Sequence, residues 1–334
     1  MRGFRKPAAG LAGLVLLACA GCSSGGGGSS DAAPARTPGA GSSSTSYAPY
    51  VSATSASPMD TAGSPGTYNL AFVIADGGDC TPSWDGVHEV GDAGVKARID
   101  KLTDTGASLR VSFGGASGKE LASVCDSASE LAAAYGEALD AAGTTLADFD
   151  VEGDQLKDAD SVALRSEAIA LLQKERDGLS VSFTLPVMPS GLDEDGLALL
   201  ESANDHGVEV ATVDIMTMNY AESYDDDMGD YALAAAEKTH DQLVDVFGQS
   251  SKGAWQGLAL TSMLGVQDVD NETFTLDDAA EVRAFAEKKG IAWVSMWATF
   301  RDRECGEDAA ADDPLINCSG VEQENGAFGK VFAG

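Results

Sequence analysis

Bases and histidines are scarce in this chain. Only 21 Lys and Arg stand against 53 Asp and Glu, so the 334 residues carry a formal net charge of −32. Nucleic-acid binding needs a basic stripe, and docking on anionic lipid needs a basic face. The charge argues against both and fits neutral or cationic partners. The three histidines (His88, His206 and His240) and the absence of HExxH argue against a zinc hydrolase or a His-based triad. No GxGxxG follows the first strand candidate, which argues against a dinucleotide fold. Apolar residues make up 44% of the chain and charged residues 22%, too apolar for wholesale disorder and enough for a large core.

The amino terminus reads as an export signal. Arg2, Arg5 and Lys6 precede an apolar stretch, Leu11 to Ala20, that is too short to span a bilayer. The run Leu16-Leu17-Ala18-Cys19-Ala20-Gly21-Cys22 resembles a bacterial lipobox. Cys22, preceded by Ala-Gly, is preferred to Cys19 as the lipidated residue; plain cleavage and secretion is the alternative. Residues 1–21 are therefore expected to be a lipoprotein-type signal peptide. The protein is expected to be exported, either anchored in the cell membrane through an N-terminal lipid or extracellular. Residues 22–46 are almost all Gly, Ser, Ala, Thr and Pro and read as a flexible tether.

Four cysteines remain: Cys80, Cys125, Cys305 and Cys318. An even number in an exported chain reads as two disulfides, and four cysteines allow three pairings. Cys305 with Cys318 would close a short acidic loop, which leaves Cys80 for Cys125. No CxxC pair occurs among these four, so no metal site or redox motif is expected.

From residue 47 to 334, apolar runs of strand length alternate with amphipathic stretches of helix length. The strand candidates are Tyr47–Val51, Asn69–Ala75, Leu109–Phe113, Leu146–Val151, Ser180–Leu185, Thr212–Met218, Leu258–Ser262 and Ala292–Trp297. The helix candidates are Ala93–Thr103, Lys119–Ala142, Ser161–Arg176, Glu194–Asp205, Tyr231–Phe247 and Asp277–Lys289, several ending at Gly. Continuous apolar strands interleaved with helices predict an α/β fold, a (β/α)8 TIM barrel forming one catalytic domain over 47–334. A doubly wound open sheet is the structural alternative.

The fourth strand carries the chemistry. In Asp148-Phe149-Asp150-Val151-Glu152-Gly153, three carboxylates recur at every second position. A strand sends alternate side chains to opposite faces, so the acids share one face, and in a barrel that face looks inward. Two charges about 7 Å apart repel by about 2 kcal/mol at an effective dielectric near 20. At least one acid is therefore expected to keep its proton at neutral pH, and a protonated acid beside an ionised one is what glycoside hydrolysis needs. Two other readings compete with this one. An EF-hand loop shares Asp148, Asp150, Glu152 and Gly153 but has Ala159 at its twelfth position. A solvated acidic edge strand does not fit the apolar partners.

The Asp-x-Asp-x-Glu at this strand end resembles the signature of glycoside hydrolase family 18, the chitinase family. Ser112-Phe113-Gly114-Gly115 at the preceding strand end resembles its S-x-G-G. The likeness extends to the branch typified by archaeal chitinase A. It is carried by Phe72-Val73-Ile74-Ala75-Asp76 with Cys80-Thr81-Pro82-Ser83-Trp84, Met216-Thr217-Met218-Asn219-Tyr220, Leu264-Gly265-Val266-Gln267-Asp268, and Ser295-Met296-Trp297 running into Arg301-Asp302-Arg303-Glu304-Cys305. Several such motifs, in order and each at a strand end, are specific. Thr145 stands where the wider family often has a fourth Asp, and Asn219 where the branch usually has Asp. Ser52 and Phe300 also depart from the pattern. The last three touch the barrel mouth and bear on substrate range.

The resemblance implies an enzyme that cleaves β-1,4-linked N-acetylglucosamine, in chitin or chitooligosaccharides, with the sugar's own 2-acetamido oxygen as nucleophile. Carried over residue by residue, Glu152 would be the general acid and base. Asp150 would hold the acetamido N–H, and Asp148 would support Asp150 from below. Tyr220 would donate its hydroxyl to the acetamido oxygen. Trp297 would floor the reacting sugar, Asp268 would bond a hydroxyl or the acetamido group, and Met218 would line the lumen. No metal or cofactor is implied, and a monomer is expected. A sugar-binding barrel without catalysis, a solute-binding lipoprotein and an endo-β-N-acetylglucosaminidase acting on other glycans are the alternatives.

Overall fold

The computed structural model describes residues 45–334. The expected signal segment 1–21, Cys19, Cys22 and the expected tether up to residue 44 lie outside the described residues. In chain order the strands are β1 (Ser46–Tyr47), β2 (Tyr50–Ser52), β3 (Thr67–Ala75), β4 (Pro82–Trp84), β5 (His88–Glu89), β6 (Ser108–Gly114), β7 (Leu146–Asp150), β8 (Ser180–Pro186), β9 (Val210–Met216), β10 (Leu258–Met263), β11 (Gly265–Val266), β12 (Thr273–Phe274) and β13 (Trp293–Trp297). The helices are α1 (Ala93–Thr103), α2 (Ala128–Ala142), α3 (Gly153–Lys157), α4 (Ala159–Glu175), α5 (Glu194–Asp205), α6 (Met228–Phe247), α7 (Ser251–Gln256), α8 (Leu276–Lys289), α9 (Asp313–Ile316) and α10 (Ala327–Ala333). None is long and apolar enough to cross a membrane.

Parallel pairing runs in the order β13, β10, β9, β8, β7, β6, β3. The two ends of this row meet on the first strand segment: β1 pairs with β13 and β2 with β3, both parallel. Ala48 N–H donates to the Val294 carbonyl at 3.0 Å, and Asn69 N–H to the Pro49 carbonyl at 2.9 Å. Residues 46–52 therefore bond to both edges, and the sheet closes as an eight-stranded barrel. The strand expected over Tyr47–Val51 is two pieces, and Pro49, which has no N–H to donate, sits in the break. Residues 53–66 carry no helix; from β3 onward helices follow the strands. α10 completes the ring of helices, with Phe332 stacked 6.3 Å from Tyr47.

Local chemistry sets the helix ends. Asp92 caps α1 by accepting from the N–H groups of Gly94 and Val95 at 2.7 and 2.9 Å. Thr275 and Asp278 form a reciprocal capping box on α8. The helix expected from Lys119 starts nine residues later, at Ala128, because residues before it are committed elsewhere. Glu120 accepts from Ala122 N–H (3.0 Å), Arg165 (2.7 Å) and the Tyr135 hydroxyl (2.9 Å). Cys125 is disulfide-bonded to Cys80, and Cys305 to Cys318. Those are the two bridges that the short acidic loop led one to expect.

The strand alternation builds two layers. Phe113, Phe149 and Phe183 point outward from β6, β7 and β8 and stack under the helices, with centroids 5.3 and 5.8 Å apart. Ser112, Asp148, Ser182 and Thr184 occupy the opposite face and fill the lumen with polar groups, all almost fully buried.

Candidate active site

The acids of β7 sit where the alternation sends them. Asp148 lies lower in the lumen, Asp150 above it, and Glu152 just past the strand's carboxyl end, where barrel folds gather their functional groups. Ser112, Asp148 and Ser182 are cross-strand neighbours. Four hydroxyls donate to the Asp148 carboxylate. Ser112 and Tyr50 reach Oδ2 at 2.6 and 3.0 Å; Ser182 and Thr184 reach Oδ1 at 2.8 and 2.9 Å. That is the full complement of hydrogen bonds a carboxylate accepts, and it leaves Asp148 no vertex for a calcium ion.

Asp150 and Glu152 share a hydrogen bond that raises the Asp150 carboxyl and lowers that of Glu152. Burial pushes the Asp150 carboxyl well above the usual range, and the charges of Glu152 and Asp148 push the same way. Burial also raises Glu152, against the hydrogen bond from Asp150, while the charge of Asp268 adds to the rise. Both carboxyls of the pair are thus held above the usual carboxylate range. Gly114, at φ 100°, lets β6 approach this strand: Gly115 N–H donates to the Asp150 carbonyl at 2.9 Å, and a Cβ on Gly114 would run into that carbonyl.

Above the acids lies a cavity of about 330 Å³. Asp150, Glu152, Met218, Asp268 and Trp297 all line it, as does Asn219. Trp297 is stacked against Phe72 at 5.5 Å and meets the edge of Tyr50 at 5.8 Å, so its ring is held flat by aromatic neighbours. Asn219 and Asp268 bond reciprocally: Asn219 Nδ2 donates to the Asp268 carboxylate (3.1 Å) and Asp268 N–H to Asn219 Oδ1 (3.0 Å). Arg301, fully buried, ties the supporting loops together by donating to the carbonyls of Trp297, Val266 and Pro314 at 3.1, 2.7 and 2.6 Å.

Tyr220 stands apart from this set. It does not line the cavity, and its ring packs in the core against Tyr224 and Tyr231, at 5.9 and 6.0 Å. Its hydroxyl is buried with no hydrogen-bond partner. The cause is local: β9 ends at Met216, and Asn219 takes a left-handed conformation (φ 54°) that turns the chain. Gln267 accepts the Asn219 N–H at 2.8 Å and Glu272 the Ala221 N–H at 2.9 Å, which fixes that turn. Met218 and Asn219 line the cavity and Tyr220 does not.

Sequence reasoning passed over Tyr50, Phe72 and Asp214, and noted Asn219 only as a departure at the barrel mouth. Tyr50 and Asp214 do carry a signal, since each falls on the inward phase of its strand. Phe72 lies beside Trp297 only through the tertiary fold. One group of acids among the described residues brings three ligand atoms within 4.8 Å of one another: Asp227, Asp230 and Glu281, all exposed and none lining the cavity.

No family model matches the chain. Among curated proteins it is 29% identical to a probable bifunctional chitinase/lysozyme of Escherichia coli (strain K12) over 309 residues, 86% of this chain and 34% of that protein. It is 29% identical to endochitinase 11 of Metarhizium anisopliae over 274 residues, 77% of this chain and 52% of that protein. The chain therefore spans between a third and about half the length of these relatives. Among solved structures, the catalytic domain of a hyperthermophilic chitinase from Pyrococcus furiosus is 28% identical, with a TM-score of 0.74 over 86% of this chain and 94% of that one. A family 18 chitinase from Pseudoalteromonas aurantia shares the fold, with a TM-score of 0.56 at 12% identity over 76% of this chain and 94% of that one. The acid row on β7, the S-x-G-G turn on β6 and these likenesses agree, and the chain is similar to the chitinases of glycoside hydrolase family 18, among them one from the archaeon Pyrococcus furiosus.

Proposed function

We propose that this barrel hydrolyses β-1,4-linked N-acetylglucosamine chains, chitin or chitooligosaccharides, by a retaining, substrate-assisted route. The observation that carries the reading is the pair of neighbouring carboxyls, Asp150 and Glu152, lining one cavity together with Trp297. A Pyrococcus furiosus chitinase domain with 28% identity, in catalytic-site mutant form, has been crystallised with chito-oligosaccharides.

The residues act in sequence. An acetamido N–H arriving at Asp150 needs an ionised acceptor, so the shared proton moves to Glu152. Glu152 gives it to the glycosidic oxygen as the bond from that oxygen to C1 breaks. The acetamido carbonyl oxygen forms its bond to C1 on the opposite face, giving a cyclic oxazolinium whose positive charge Asp150, backed by Asp148, stabilises. Water then attacks C1, its proton returns to Glu152, and the acetamido group is restored. Trp297 carries the apolar face of the reacting sugar. Asn219 and Asp268, fixed on each other, offer polar contacts to the acetamido group or a hydroxyl, and Met218 with Met263 supplies apolar wall.

The amino-terminal reading belongs to the same proposal: export, lipidation at Cys22 and a tether holding a monomeric catalytic barrel off the membrane. Two disulfides in the barrel fit an oxidising compartment. Mass spectrometry of the mature protein and fractionation of a Cys22→Ser variant test it; an unlipidated, unprocessed terminus contradicts it. The catalytic reading is tested by a time course on chitohexaose. Shorter N-acetylglucosamine oligomers are expected from the wild type and none from Glu152→Gln; equal turnover by the two contradicts it.

A further inference from the structure

Asp214 is a buried acid with no part in the steps above. It lies on β9, and its Oδ2 accepts from Thr261 Oγ1 on β10 (2.8 Å) and Trp293 Nε1 on β13 (3.1 Å). Its Oδ1 is buried with no partner. Its cross-strand neighbour Thr184 is one of the four residues that donate to Asp148, so one strand separates Asp214 from the foot of the acid row. It does not line the cavity and so does not touch substrate.

The charged and titratable groups that face it are Asp148 and Asp150 on β7, Tyr50 on β2 and Arg110 on β6. Arg110 is engaged elsewhere: it donates to Asn69 Oδ1 at 2.6 Å and lies 4.0 Å over the Trp293 ring. Burial, and then the charge of Asp148, pushes the Asp214 carboxyl up to about 7, against its two donors and Arg110.

We propose that Asp214 is a positioning residue for proton transfer: once ionised, it strengthens the hold of Asp150 and Glu152 on their shared proton, and so extends activity to higher pH. The inference rests on the reading of Glu152 as general acid. While Asp214 is neutral it adds nothing to the lumen; once ionised it adds a like charge, which makes the neighbouring acids harder to deprotonate. The effect is therefore confined to the alkaline limb. An asparagine in its place keeps the size, accepts the same two donors through its carbonyl and never ionises.

The test is the pH profile of kcat/KM on chitohexaose for wild type, Asp214→Asn and Trp293→Phe. In D214N the alkaline limb is expected about one pH unit lower, from the Coulomb coupling of buried acids, with the acid limb in its wild-type position. W293F removes a donor that favours ionised Asp214 and should move the same limb the same way by less. Melting temperatures of the same proteins, measured without substrate, follow the Asp214 proton directly. The advantage of D214N over wild type should grow from pH 4 to 7 and level off above. Coincident alkaline limbs in an active wild type and D214N, a uniform loss at all pH, or a melting gap that ignores pH overturns the inference. If D214N does not fold, the limb of W293F decides. A wild type inactive on chitohexaose at every pH, with the melting gap still titrating, defeats the reading of the function instead.

Discussion

Asp150 lies beside Glu152, two residues further along the same face of the barrel wall, and the hydrogen bond between them raises the Asp150 carboxyl and lowers that of Glu152. In the proposed mechanism Glu152 is the group that must later give a proton away. Free and substrate-bound states would then differ by one short proton transfer, driven by the arrival of the acetamido N–H at Asp150.

Glu152→Gln should therefore lower kcat on chitohexaose by about 10³ or more, the scale of a lost general acid, with KM within a few-fold of wild type. Product sizing over time, together with chitotetraose titration of tryptophan fluorescence, separates the two effects. A proportionate loss of binding would place Glu152 outside the chemistry.

Tyr220→Phe should leave kcat/KM within about threefold and should not lower the melting temperature, because the hydroxyl it removes is buried and unpartnered. A drop of about 10² in kcat would restore Tyr220 as the acetamido donor.

Trp297→Ala should raise KM for chitohexaose by about tenfold or more, since tenfold is about 1.4 kcal/mol and the ring is the flat apolar wall of the cavity. An unchanged KM would show that the sugar binds elsewhere.

Ser112→Ala removes one of the four hydroxyls on Asp148 and should cost about 1.5–3 kcal/mol, the range for hydrogen bonds to charged groups. Thermal melting at neutral pH reads this as a loss of several degrees. No change would mean that three donors suffice.

Stability should fall as pH rises. Asp214, Asp150 and Glu152 all titrate higher in the folded protein than in the unfolded chain, so between the two values the folded state binds more protons. For Asp214 the window runs from its ordinary 3.8 to about 7, a loss on the order of 4 kcal/mol across it. Melting temperatures from pH 4 to 8 check the sign, and a rise through this window would contradict it.

Much of this architecture was legible because it is local. α1 and α5 keep both expected ends since Asp92 and Asp193 cap them within the sequence itself. The acid row was legible because a strand's period of two needs no knowledge of partners. The break at Pro49 was hidden, since its partners, near Asn69 and Val294, are distant in sequence. The choice between Met218 and Tyr220 was lost for a related reason: the alternation stops at the left-handed Asn219, held by Gln267 and Glu272 from a hairpin that only the fold brings near. Asp214 had the right phase, but its meaning comes from Thr184 and Asp148 across two strand junctions.

The sugar's amide arm is the nucleophile in this account, so the most direct measurement compares chitohexaose with its fully N-deacetylated counterpart at equal concentration, by product sizing over time. The account predicts steady cleavage of the acetylated chain and at least a thousandfold slower cleavage of the other, on the scale of a well-oriented intramolecular nucleophile, about 10⁵ M or more in effective molarity. Comparable rates on the two would contradict it.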